Sequence, residues 1–516
     1  MTTFISTSTP YVNARPHLGH ALEYVQADVL ARHQRSRGQS VYLLTGTDDN
    51  AGKNVAAAAA AGVPVAEFVA TVGEGFIRLA DRLGVAYDDV IHTGTDPRHR
   101  AAVEKLWRRV GDDLYRRSYT GLYCAGCEQF YQPAELVDGR CPEHGSTPEQ
   151  VTEQNWFFAL SRYQQRLEQA ITSGRVQIQP AHRRAEVLSF IRAGLNDYSV
   201  SRPSARSDGW GIGVPDDPGQ TIYVWWDALC NYISAPGYGT DPTGYRRRWT
   251  AAEARIHVIG KGIIRFHAVF WLATLLSAGE PLPTRIAVHE YLQSGGRKIS
   301  KSAPIAELSS PEELLDRYGP DPLRWWFVSD VSRVGDTDFN EQRLRDRHNE
   351  DLANTIGNLV NRTVTLARRA YGDRLPDEPT PPNTAPRRPA PPPTPEVAAA
   401  VEAAQELPSV IDEALADFDL RRAARAITRT AAAANAAIES SRPWQHLTGA
   451  AAGDPEAIGF LGTVLPALIG VCRQITAELG PFVPDGAQRL ADALGSGAEL
   501  GRPIPAFVRL QHPDVS

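Results

Sequence analysis

The stretch Tyr-Val-Asn-Ala-Arg-Pro-His-Leu-Gly-His at positions 11–20 decides how the first part of this chain folds. A β-prone run at 4–8 precedes it, and residues 21–37 follow with apolar side chains at helical spacing. This pattern predicts a strand-to-helix turn. From residue 3 to about 117, short apolar strands continue to alternate with amphipathic helices, which is typical of an α/β fold with a doubly wound parallel sheet.

The predicted turn is suited to binding a phosphate group. Backbone N–H groups at the start of a helix, together with the positive end of the helix dipole, favour an anion. Gly19 would let a ligand approach the backbone between His17 and His20, so that both imidazoles face it. The pattern is short, and two histidines near a strand end are more often structural residues.

A second polar turn is predicted at the same edge of the sheet, because the carboxyl ends of parallel strands meet there. The strand at 40–44 runs into Thr-Gly-Thr-Asp-Asp-Asn at 45–50. Asp48 would face a cationic group such as a substrate amine. The alternative is that Asp48 caps the helix that begins near Lys53, and the residues alone do not decide between the two.

Three of the five cysteines lie close together in the sequence, which indicates a metal site rather than disulfides in a cytosolic chain. A Cys-x-x-Cys turn and a Cys-x-x-His turn would place four ligands around one tetrahedral zinc ion with no open position, and such a site is structural. The predicted ligands are Cys124, Cys127, Cys141 and His144. His144 is the least constrained of the four, with Glu143 and His182 as alternatives.

A strand predicted at 285–289 leads toward a loop that carries Gly295, Gly296 and then Lys-Ile-Ser-Lys-Ser at 298–302. Two ammonium groups and hydroxyl donors on a glycine-hinged loop suit a triphosphate whose charge shifts during a reaction. Lysines in loops are usually only exposed surface. The simultaneous presence of the histidine turn at 17–20 favours the phosphate interpretation.

Composition sets limits on the partners and the location. The net charge of −6 argues against a generally basic surface for nucleic acid, although it permits a local basic face. Arginine-rich runs at 182–184, 246–248 and 421–425 are more often solvated faces. Apolar stretches such as 460–472 are interrupted by Gly or Pro, and no signal-like segment opens the chain, so we expect no helical membrane span and a cytosolic monomer.

The motifs at 17–20 and 298–302 together resemble the two signature motifs of class I aminoacyl-tRNA synthetases. More specifically, the chain is similar to the methionyl-tRNA synthetase family over essentially its whole length. The motifs that carry this resemblance are residues 10–20, 44–48, 223–228, the cysteine turns, 351–354, 357–362 and Pro443-Trp444. Several motifs in the right order are far more specific than any one of them.

The resemblance implies an α/β fold with a Rossmann-like, doubly wound parallel catalytic domain, an inserted connective domain with a zinc knuckle, and an α-helical anticodon-binding domain. The implied divisions are 1–117 and 216–295 for the two halves of the catalytic domain, 118–215 for the connective domain, 296–345 for the linking segment with the Lys-Ile-Ser-Lys-Ser loop, and 346–516 for the anticodon-binding domain with a Pro-rich loop at 375–395. Ten prolines in that loop favour an extended linker.

The implied activity is the ATP-dependent attachment of L-methionine to tRNA with a CAU anticodon, through a methionyl-adenylate. The implied cofactors are structural Zn²⁺ and Mg²⁺ bound with ATP. Catalytic roles would fall to His17, His20, Lys298 and Lys301, and ATP binding to these four together with Gly19 and Ser300. Methionine would be bound by Thr9, Tyr11, Asp48, Trp225, Tyr232 and His267. The anticodon would meet Asn358, Arg362 and Trp444.

Five places depart from the family pattern. They are Asp49-Asn50-Ala51 instead of Glu-His-Gly, Gly262 instead of Asp, Glu290 instead of Gly, Thr9 instead of a larger apolar residue, and His144 instead of Cys. Glu290 would add a carboxylate beside the nucleotide. These differences raise three alternatives: a divergent paralogue with an altered amino-acid pocket or inhibitor resistance, a tRNA-binding or regulatory module, and an adenylate-forming biosynthetic enzyme. The two signature motifs together favour activation chemistry over a binding module, and the anticodon residues oppose a biosynthetic role.

Overall fold

The computed structural model of this chain describes residues 2–124, 129–143, 145–299, 308–376 and 392–511. The chain divides into two units, residues 1–292 with 298–307 and residues 293–297 with 308–516. Four predicted site residues, Cys127, His144, Ser300 and Lys301, lie outside the described residues, as does most of the Pro-rich loop.

Sixteen strands occur in the described part of the chain. In chain order they are β1 Thr2–Ser6, β2 Ser40–Thr47, β3 Asp89–His92, β4 Leu114–Cys124, β5 Gln129–Tyr131, β6 Glu149–Phe158, β7 Gln177–Gln179, β8 Tyr198–Ser199, β9 Ser201–Pro203, β10 Gly213–Val214, β11 Asp217–Ile222, β12 Ala254–Gly260, β13 Arg285–His289, β14 Leu292–Ser294, β15 Arg297–Lys298 and β16 Thr337–Asp338. Six of them form one parallel sheet in the order β3-β2-β1-β12-β13-β7. The chain therefore winds outward from β1 in both directions, which confirms the predicted doubly wound sheet.

Nineteen α-helices occur among the described residues. In chain order they are α1 Leu18–Ser36, α2 Gly52–Ala61, α3 Val65–Arg82, α4 Pro97–Arg109, α5 Gln164–Thr172, α6 Ala181–Arg192, α7 Val224–Leu229, α8 Asn231–Ser234, α9 Pro242–Tyr245, α10 Leu272–Ala278, α11 Pro311–Tyr318, α12 Pro320–Ser329, α13 Glu341–Arg347, α14 Asn358–Tyr371, α15 Pro395–Ala416, α16 Leu420–Ser441, α17 Leu447–Ala451, α18 Pro455–Leu479 and α19 Pro484–Leu494. Wider, π-helical stretches lie at Arg246–Thr250, Phe266–Trp271 and His348–Gly357. The first unit is mixed α/β, and the second is mainly helical.

The parallel sheet carries the core of the first unit. β1 is buried from Thr3 to Ser6, and Phe4 packs edge-on against Trp249 with ring centroids 5.0 Å apart. Because β1, β2, β12 and β13 run in the same direction, their carboxyl ends bring the segments that follow them to one edge. That edge holds the turn at 11–20 and Asp48.

The structure differs from the sequence pattern in two places of the first unit. The aromatic run at 221–227 favours a buried strand, but β11 ends at Ile222 and α7 begins at Val224. Residues 155–202 read as mostly helical, whereas β6 extends to Phe158 and the short β7 pairs with β13 at the edge of the parallel sheet. A short apolar run is compatible with either a strand or a buried helix, so packing decides between them.

The long helices of the second unit follow the predicted pattern. Apolar periodicity predicts helices at 396–417, 420–441 and 454–478, and α15, α16 and α18 occupy these positions with ends shifted by about one residue. α15 packs on both α16 and α18, so the three helices bury their apolar faces against one another.

α18 corrects the expectation that Gly and Pro break the apolar stretch 460–472. The helix continues through Pro466 and is 25 residues long, and an 18-residue window of it has a mean hydropathy of 1.6, which by length and composition alone is enough to cross a membrane. Leu465, Leu468 and Cys472 are buried in it, and α14, α15 and α19 pack against it. A buried core helix meets the same criterion, so this finding is only weak support for a membrane span.

Candidate active site

The N-terminus of α1 holds the two histidines of the turn at 11–20. His17 caps the helix: its Nδ1 accepts a hydrogen bond from the Gly19 N–H at 3.1 Å, and His20 Nδ1 accepts one from the His17 N–H at 3.0 Å. The imidazole centroids are 3.8 Å apart, and His20 packs edge-on against Phe76. The predicted strand-to-helix turn is confirmed, and the cap explains why the helix begins at Leu18, three residues earlier than the apolar pattern predicts.

Gly19 has an immediate structural role in this turn. A Cβ at this position would lie 2.9 Å from His17 Cε1, so glycine is needed for the His17 ring to cap the helix. The Gly19 N–H donates to that ring, and a phosphate that used this N–H would have to displace the imidazole. The role of Gly19 in binding ATP stays a prediction.

Asp48 lies beside Tyr11, directly after β2. The Asp48 N–H donates to Pro10 O at 2.9 Å, the two residues Tyr11 and Asp48 pair in a parallel bridge, and the buried Asp48 carboxylate accepts a hydrogen bond from the Asn50 N–H at 3.2 Å. The following helix, α2, is capped by Ala51 without a side-chain hydrogen bond. Asp48 is thus not itself the N-cap residue of α2, and its assignment to a substrate amine stays a prediction.

Two groups of ring contacts meet at the neighbouring residues Phe266 and His267, and we call them together the aromatic cluster. Tyr11 packs edge-on against Trp225 at 5.8 Å between centroids, and Trp225 stacks on Phe266 at 3.8 Å. His267 follows Phe266 in the chain and contacts the ring of Tyr232. Phe266 is missing from the predicted set, because only its neighbour His267 carries a motif signal and the π-helical geometry of residues 266–271 cannot be inferred from the sequence.

The protonation of the Tyr232–His267 pair follows from its hydrogen bonds. Tyr232 Oη lies 2.7 Å from His267 Nε2, and His267 Nδ1 lies 2.9 Å from Ile263 O. A carbonyl oxygen only accepts, so Nδ1 carries the proton and Nε2 accepts the hydrogen bond of the hydroxyl. Burial lowers the pKa of His267 to about 4 and raises the pKa of Tyr232 well above its ordinary value. Both side chains are therefore uncharged at neutral pH.

Thr9 joins the same cluster through the residue before Tyr232. The side-chain amide of Asn231 donates to Thr9 Oγ1 at 3.4 Å, and Thr9 is partly buried. The resemblance assigns six residues to the amino acid, namely Thr9, Tyr11, Asp48, Trp225, Tyr232 and His267. The structure links Tyr11 to Asp48 and to Trp225, links Tyr232 to His267, and places Thr9 against Asn231, while their common role in binding the amino acid stays a prediction.

The unusual Asn50 is part of a buried network. Its Nδ2 donates to Asp227 Oδ2 at 2.8 Å, and the other oxygen of Asp227 lies 2.6 Å from His99 Nε2. Asp227 belongs to α7, the helix that carries Trp225, and Asn50 belongs to the turn that carries Asp48. The network therefore fixes the turn to the helix, and Asn50 takes part in positioning both sides of the cluster.

Glu23 connects two strand ends at this edge, although no motif points to it. Its Oε1 accepts hydrogen bonds from the N–H and the hydroxyl of Ser8, both at 2.6 Å, and its Oε2 lies 3.1 Å from His289 Nε2. Ser8 follows β1 and His289 ends β13, so one buried carboxylate of α1 holds both segments. The sequence hints at this role because Glu23 is an acidic residue among apolar neighbours at positions 21–25 of the helix.

Gly262 and Tyr291 fit each other. A Cβ at position 262 would overlap the hydroxyl oxygen of Tyr291, so only glycine leaves room for this side chain. The Tyr291 ring also lies below two ammonium groups, Lys261 Nζ at 4.7 Å and Lys298 Nζ at 3.6 Å from its centroid. The hydroxyl of Tyr291 therefore occupies the space that a side chain at position 262 would need.

Glu290 is buried in an ion-pair network and is not an open carboxylate. Arg183 donates to its two oxygens at 3.1 and 2.5 Å, His182 Nε2 lies 3.0 Å away and Lys261 Nζ lies 3.3 Å away. Burial raises the pKa of Glu290, but the guanidinium of Arg183, the hydrogen bond of His182 and the ammonium of Lys261 outweigh burial and lower it below its ordinary value. The network joins α6 to the end of β13, so the Glu290 carboxylate is paired within the protein, and its expected place beside the nucleotide stays a prediction.

Lys298 is the described member of the predicted lysine pair. Its ammonium lies 3.2 Å from the Glu143 carboxylate, in addition to its contact with the Tyr291 ring. Ser300 and Lys301 lie outside the described residues. The predicted contact of all three residues with a triphosphate stays a prediction.

The two described cysteines of the predicted zinc site are buried in one cluster. Cys124 and Cys141 are each 1% exposed and pack with Tyr131. The Ser146 hydroxyl lies 3.6 Å from Cys124 Sγ, and the Ser146 carbonyl accepts the Cys141 N–H at 2.8 Å. The two turns therefore face each other, as a four-ligand site requires.

The remaining ligands of that site are less completely described. Among the residues that the structure describes, no group of three or more His, Cys, Asp or Glu could hold a metal ion, and Cys127 and His144 are not among them. The alternative ligands are engaged elsewhere, Glu143 by Lys298 and His182 by Glu290. The choice of His144 as the fourth ligand stays a prediction.

The predicted anticodon residues lie in the second unit. Asn358 and Arg362 are four residues apart on α14 and so share one face of that helix. Arg362 Nη2 donates to Glu439 Oε1 at 2.7 Å near the end of α16. Trp444 follows shortly after this end, in the short turn Pro443–Gln445, and is 37% exposed. An exposed indole is available for stacking.

Comparison with known proteins places the chain in a family. The family model described as tRNA synthetases class I (M) matches residues 3–147 and 124–364. The methionine–tRNA ligase of Rhizobium meliloti is 36% identical over 536 residues, which cover 99% of each chain. The chain belongs to the methionyl-tRNA synthetase family.

Other members of the methionyl-tRNA synthetase family agree with this assignment. The methionine–tRNA ligase of Streptomyces coelicolor is 35% identical over 517 residues, which cover 96% of this chain and 90% of that one. The methionyl-tRNA synthetase of Mycobacterium tuberculosis, solved in complex with methionyl-adenylate, has a TM-score of 0.88 and 32% identity over 98% of this chain and 100% of its own. The predicted class I synthetase fold, with a parallel sheet and a helical C-terminal region, is confirmed.

Proposed function

We propose that this chain attaches methionine to tRNA through a methionyl-adenylate. The observation that carries the proposal is the pairing of Asp48 with Tyr11, whose ring packs against Trp225 in the aromatic cluster at the carboxyl edge of the sheet. A carboxylate suits the amine of an amino acid, and aromatic rings suit a polarizable thioether. The M. tuberculosis relative that covers 98% of this chain was solved in complex with methionyl-adenylate, which supports the same ligand here.

The chemistry has two steps. An oxygen of the methionine carboxylate attacks the α-phosphorus of ATP, so that a new P–O bond forms while the bond to the bridging oxygen breaks and pyrophosphate leaves. A ribose hydroxyl at the tRNA 3′ end then attacks the acyl carbon, the bond to AMP breaks and the hydroxyl proton is released. Neither step needs a nucleophile from the protein, so catalysis rests on positioning and on stabilising the charge of the transferring phosphate.

The nucleotide would lie over the N-terminus of α1. The His17 and His20 ring centroids lie 3.8 Å apart there, and an anion at a helix start is favoured by the dipole. Lys298 and Lys301 would bring positive charge to the phosphates, which requires Lys298 to leave Glu143. Mg²⁺ would be held by ATP oxygens and water rather than by a cage of protein ligands.

A structural zinc ion would lie in the connective segment at 118–215. Its ligands would be Cys124, Cys127, Cys141 and His144. The burial of two of these thiols in one cluster, with Ser146 touching both turns, supports this assignment. Four protein ligands leave no open position, so the ion would stabilise the two turns and take no part in the reaction.

The helical second unit would read the CAU anticodon. The exposed indole of Trp444 would stack on an unpaired base, and Asn358 and Arg362 would form hydrogen bonds with base edges from one face of α14. We keep the expectation of a cytosolic monomer as part of this proposal.

Aminoacylation by the full chain tests the proposal. We expect the protein to charge tRNA that carries a CAU anticodon with methionine, and we expect Trp444→Ala to lower charging while adenylate formation persists. Ile458→Ala is the matched control, because Ile458 is another exposed apolar side chain of the second unit. Failure of the parent protein to charge with methionine would contradict the function, and full charging by Trp444→Ala would contradict the anticodon role.

A further inference from the structure

Four arginine side chains come together in the second unit, and we name them the arginine cluster: Arg343, Arg347, Arg421 and Arg425. The first two belong to α13, and the last two are four residues apart on one face of α16. α12 and the π-helical stretch that follows α13 both pack on α16, which brings these elements together. The cluster includes part of the arginine-rich run at 421–425, which the proposed function does not use.

One buried carboxylate, that of Asp330, forms ion pairs with half of the cluster. Asp330, whose side chain is 1% exposed, lies 2.8 Å from Arg343 Nη2 and 3.4 Å from Arg347 Nε. Arg347 also lies 3.9 Å from Asp351. The two arginine side chains keep 49% and 39% of their surface exposed, so each guanidinium is held in place while part of it faces solvent.

The other half of the cluster, Arg421 and Arg425, has less negative charge close to it. In the described ranges, no carboxylate lies within ion-pair distance of Arg421 or Arg425, and the buried Nε of Arg421 has no hydrogen-bond partner. Burial lowers the pKa of Arg421, and the nearby cations Arg425, Arg347 and Arg343 lower it further against the attraction of Asp330. The four guanidinium groups therefore repel one another, and the nearby carboxylates of Asp330 and Asp351 offset only part of their positive charge.

We propose that the arginine cluster binds the sugar–phosphate backbone of tRNA, separately from the bases of the anticodon. Guanidinium groups present planar N–H donors that match phosphate oxygens, and several of them on adjacent helices fit successive phosphates of one strand. The chain has a net charge of −6, so a local excess of positive charge is a specific feature of this surface rather than a general property. The inference rests on the proposed function only for the identity of the polyanion.

Arg422 offers a matched comparison on the same helix. It is the neighbour of Arg421, but its guanidinium lies 2.9 Å from Glu413 of α15, and both side chains are well exposed. Arg422→Gln removes the same charge from the same turn of helix without touching the cluster. The variants of Arg421 and Arg425 likewise leave the Asp330 ion pairs intact, so the fold is not put at risk.

Direct binding of tRNA over a series of KCl concentrations tests the inference. We expect the double variant Arg421→Gln, Arg425→Gln to bind about tenfold more weakly, and the slope of log Kd against log salt to fall by about 1 to 2, because each lost phosphate contact releases fewer counterions. Arg422→Gln should stay within about twofold of the parent protein, since an exposed ion pair contributes little. Methionine activation without tRNA, measured on the same preparations, should match the parent, and an unchanged midpoint of thermal unfolding shows that the variants fold.

Three results would overturn the inference. The first is an unchanged affinity and salt slope in the double variant, and the second is an equal loss in Arg422→Gln. The third is full displacement of tRNA by inorganic phosphate at matched ionic strength, which would mean that the cluster takes a small anion. If the parent protein fails to activate methionine while the double variant still loses RNA affinity, the proposed function fails and the arginine cluster stands.

Discussion

The hydroxyl of Tyr232 donates a 2.7 Å hydrogen bond to Nε2 of His267 inside the first unit. The other nitrogen of His267 is held by the carbonyl of Ile263 at 2.9 Å. The two side chains therefore have one defined orientation and no charge, and they form a fixed wall. We propose that this wall recognises the methionine side chain.

Replacing Tyr232 by Phe should weaken methionine binding more than ATP binding. The change leaves the buried Nε2 of His267 without a donor, which costs about 1–3 kcal/mol. We expect a higher KM for methionine, a nearly unchanged KM for ATP and a lower free energy of unfolding, as measured by pyrophosphate exchange and by chemical denaturation. Tyr87→Phe is the control, because Tyr87 donates to Asp81 on the surface. An unchanged KM for methionine in Tyr232→Phe would remove the pair from the binding site.

The low pKa of His267 predicts a loss of stability in mild acid. The unfolded chain protonates this imidazole near pH 6.5, whereas the folded chain does so only at about pH 4. The unfolded state binds more protons between these values, so the free energy of unfolding should fall as the pH drops from 6.5 to 4, with a slope from this group of up to about 1.4 kcal/mol per pH unit. Above pH 6.5 the group contributes no slope.

Denaturant unfolding between pH 4.5 and 8 measures this effect in the parent protein and in His267→Gln. Below pH 6.5 the free energy of unfolding of the variant should depend less steeply on pH, by the slope of one titrating group. Any slope from the equally buried His257 remains. Identical slopes in both proteins would show that His267 titrates in the folded state near its ordinary pKa.

The fit between Gly262 and Tyr291 predicts a coupled pair of substitutions. Gly262→Ala alone should lower the midpoint of thermal unfolding and raise the KM for ATP, because the new Cβ overlaps the Tyr291 hydroxyl. Adding Tyr291→Phe removes that oxygen and leaves the next ring atom at 3.1 Å, so the double variant should recover part of the loss. Gly213→Ala is the control, since a Cβ there meets nothing within 4 Å. Purely additive losses would show that the two residues do not fit each other as described.

Removal of one zinc ligand should separate stability from chemistry. We expect about one zinc ion per chain by elemental analysis, and we expect Cys124→Ser and Cys141→Ser each to lose it. Cys230→Ser, which replaces another buried thiol, should retain the ion. The metal-free variants should unfold at lower temperature because a structural zinc ion contributes folding energy. A parent protein without zinc after purification in its presence would contradict the site.

The strands and helices at the carboxyl edge of the parallel sheet could be predicted from the sequence more completely than the side-chain contacts between them. Periodicity placed α1, β2 and β13, because a helix and a buried strand each repeat their apolar residues at a fixed interval. Spacing alone could not place the start of α7, since Trp225 and Trp226 fit a strand as well as a buried helix. The Asn50–Asp227 hydrogen bond joins residues that are far apart in the chain, and no local pattern encodes such a contact.

The departures from the family pattern at positions 262 and 290 illustrate the same limit of sequence-based prediction. The resemblance identified Gly262 and Glu290 as departures, but it could not show what compensates for them. Tyr291 fills the space at Gly262, and Arg183 with Lys261 neutralises Glu290. Both compensations come from residues in other segments, so they became visible only when the fold brought those segments together.

Pyrophosphate exchange with each of the standard amino acids in turn is the most direct measurement of the central claim. The protein is incubated with ATP, Mg²⁺, labelled pyrophosphate and one amino acid at a time, without tRNA. We expect exchange that depends on methionine and falls to background with the other amino acids. Exchange with a different amino acid, and none with methionine, would contradict the assignment of the Asp48 and Tyr232–His267 site to methionine.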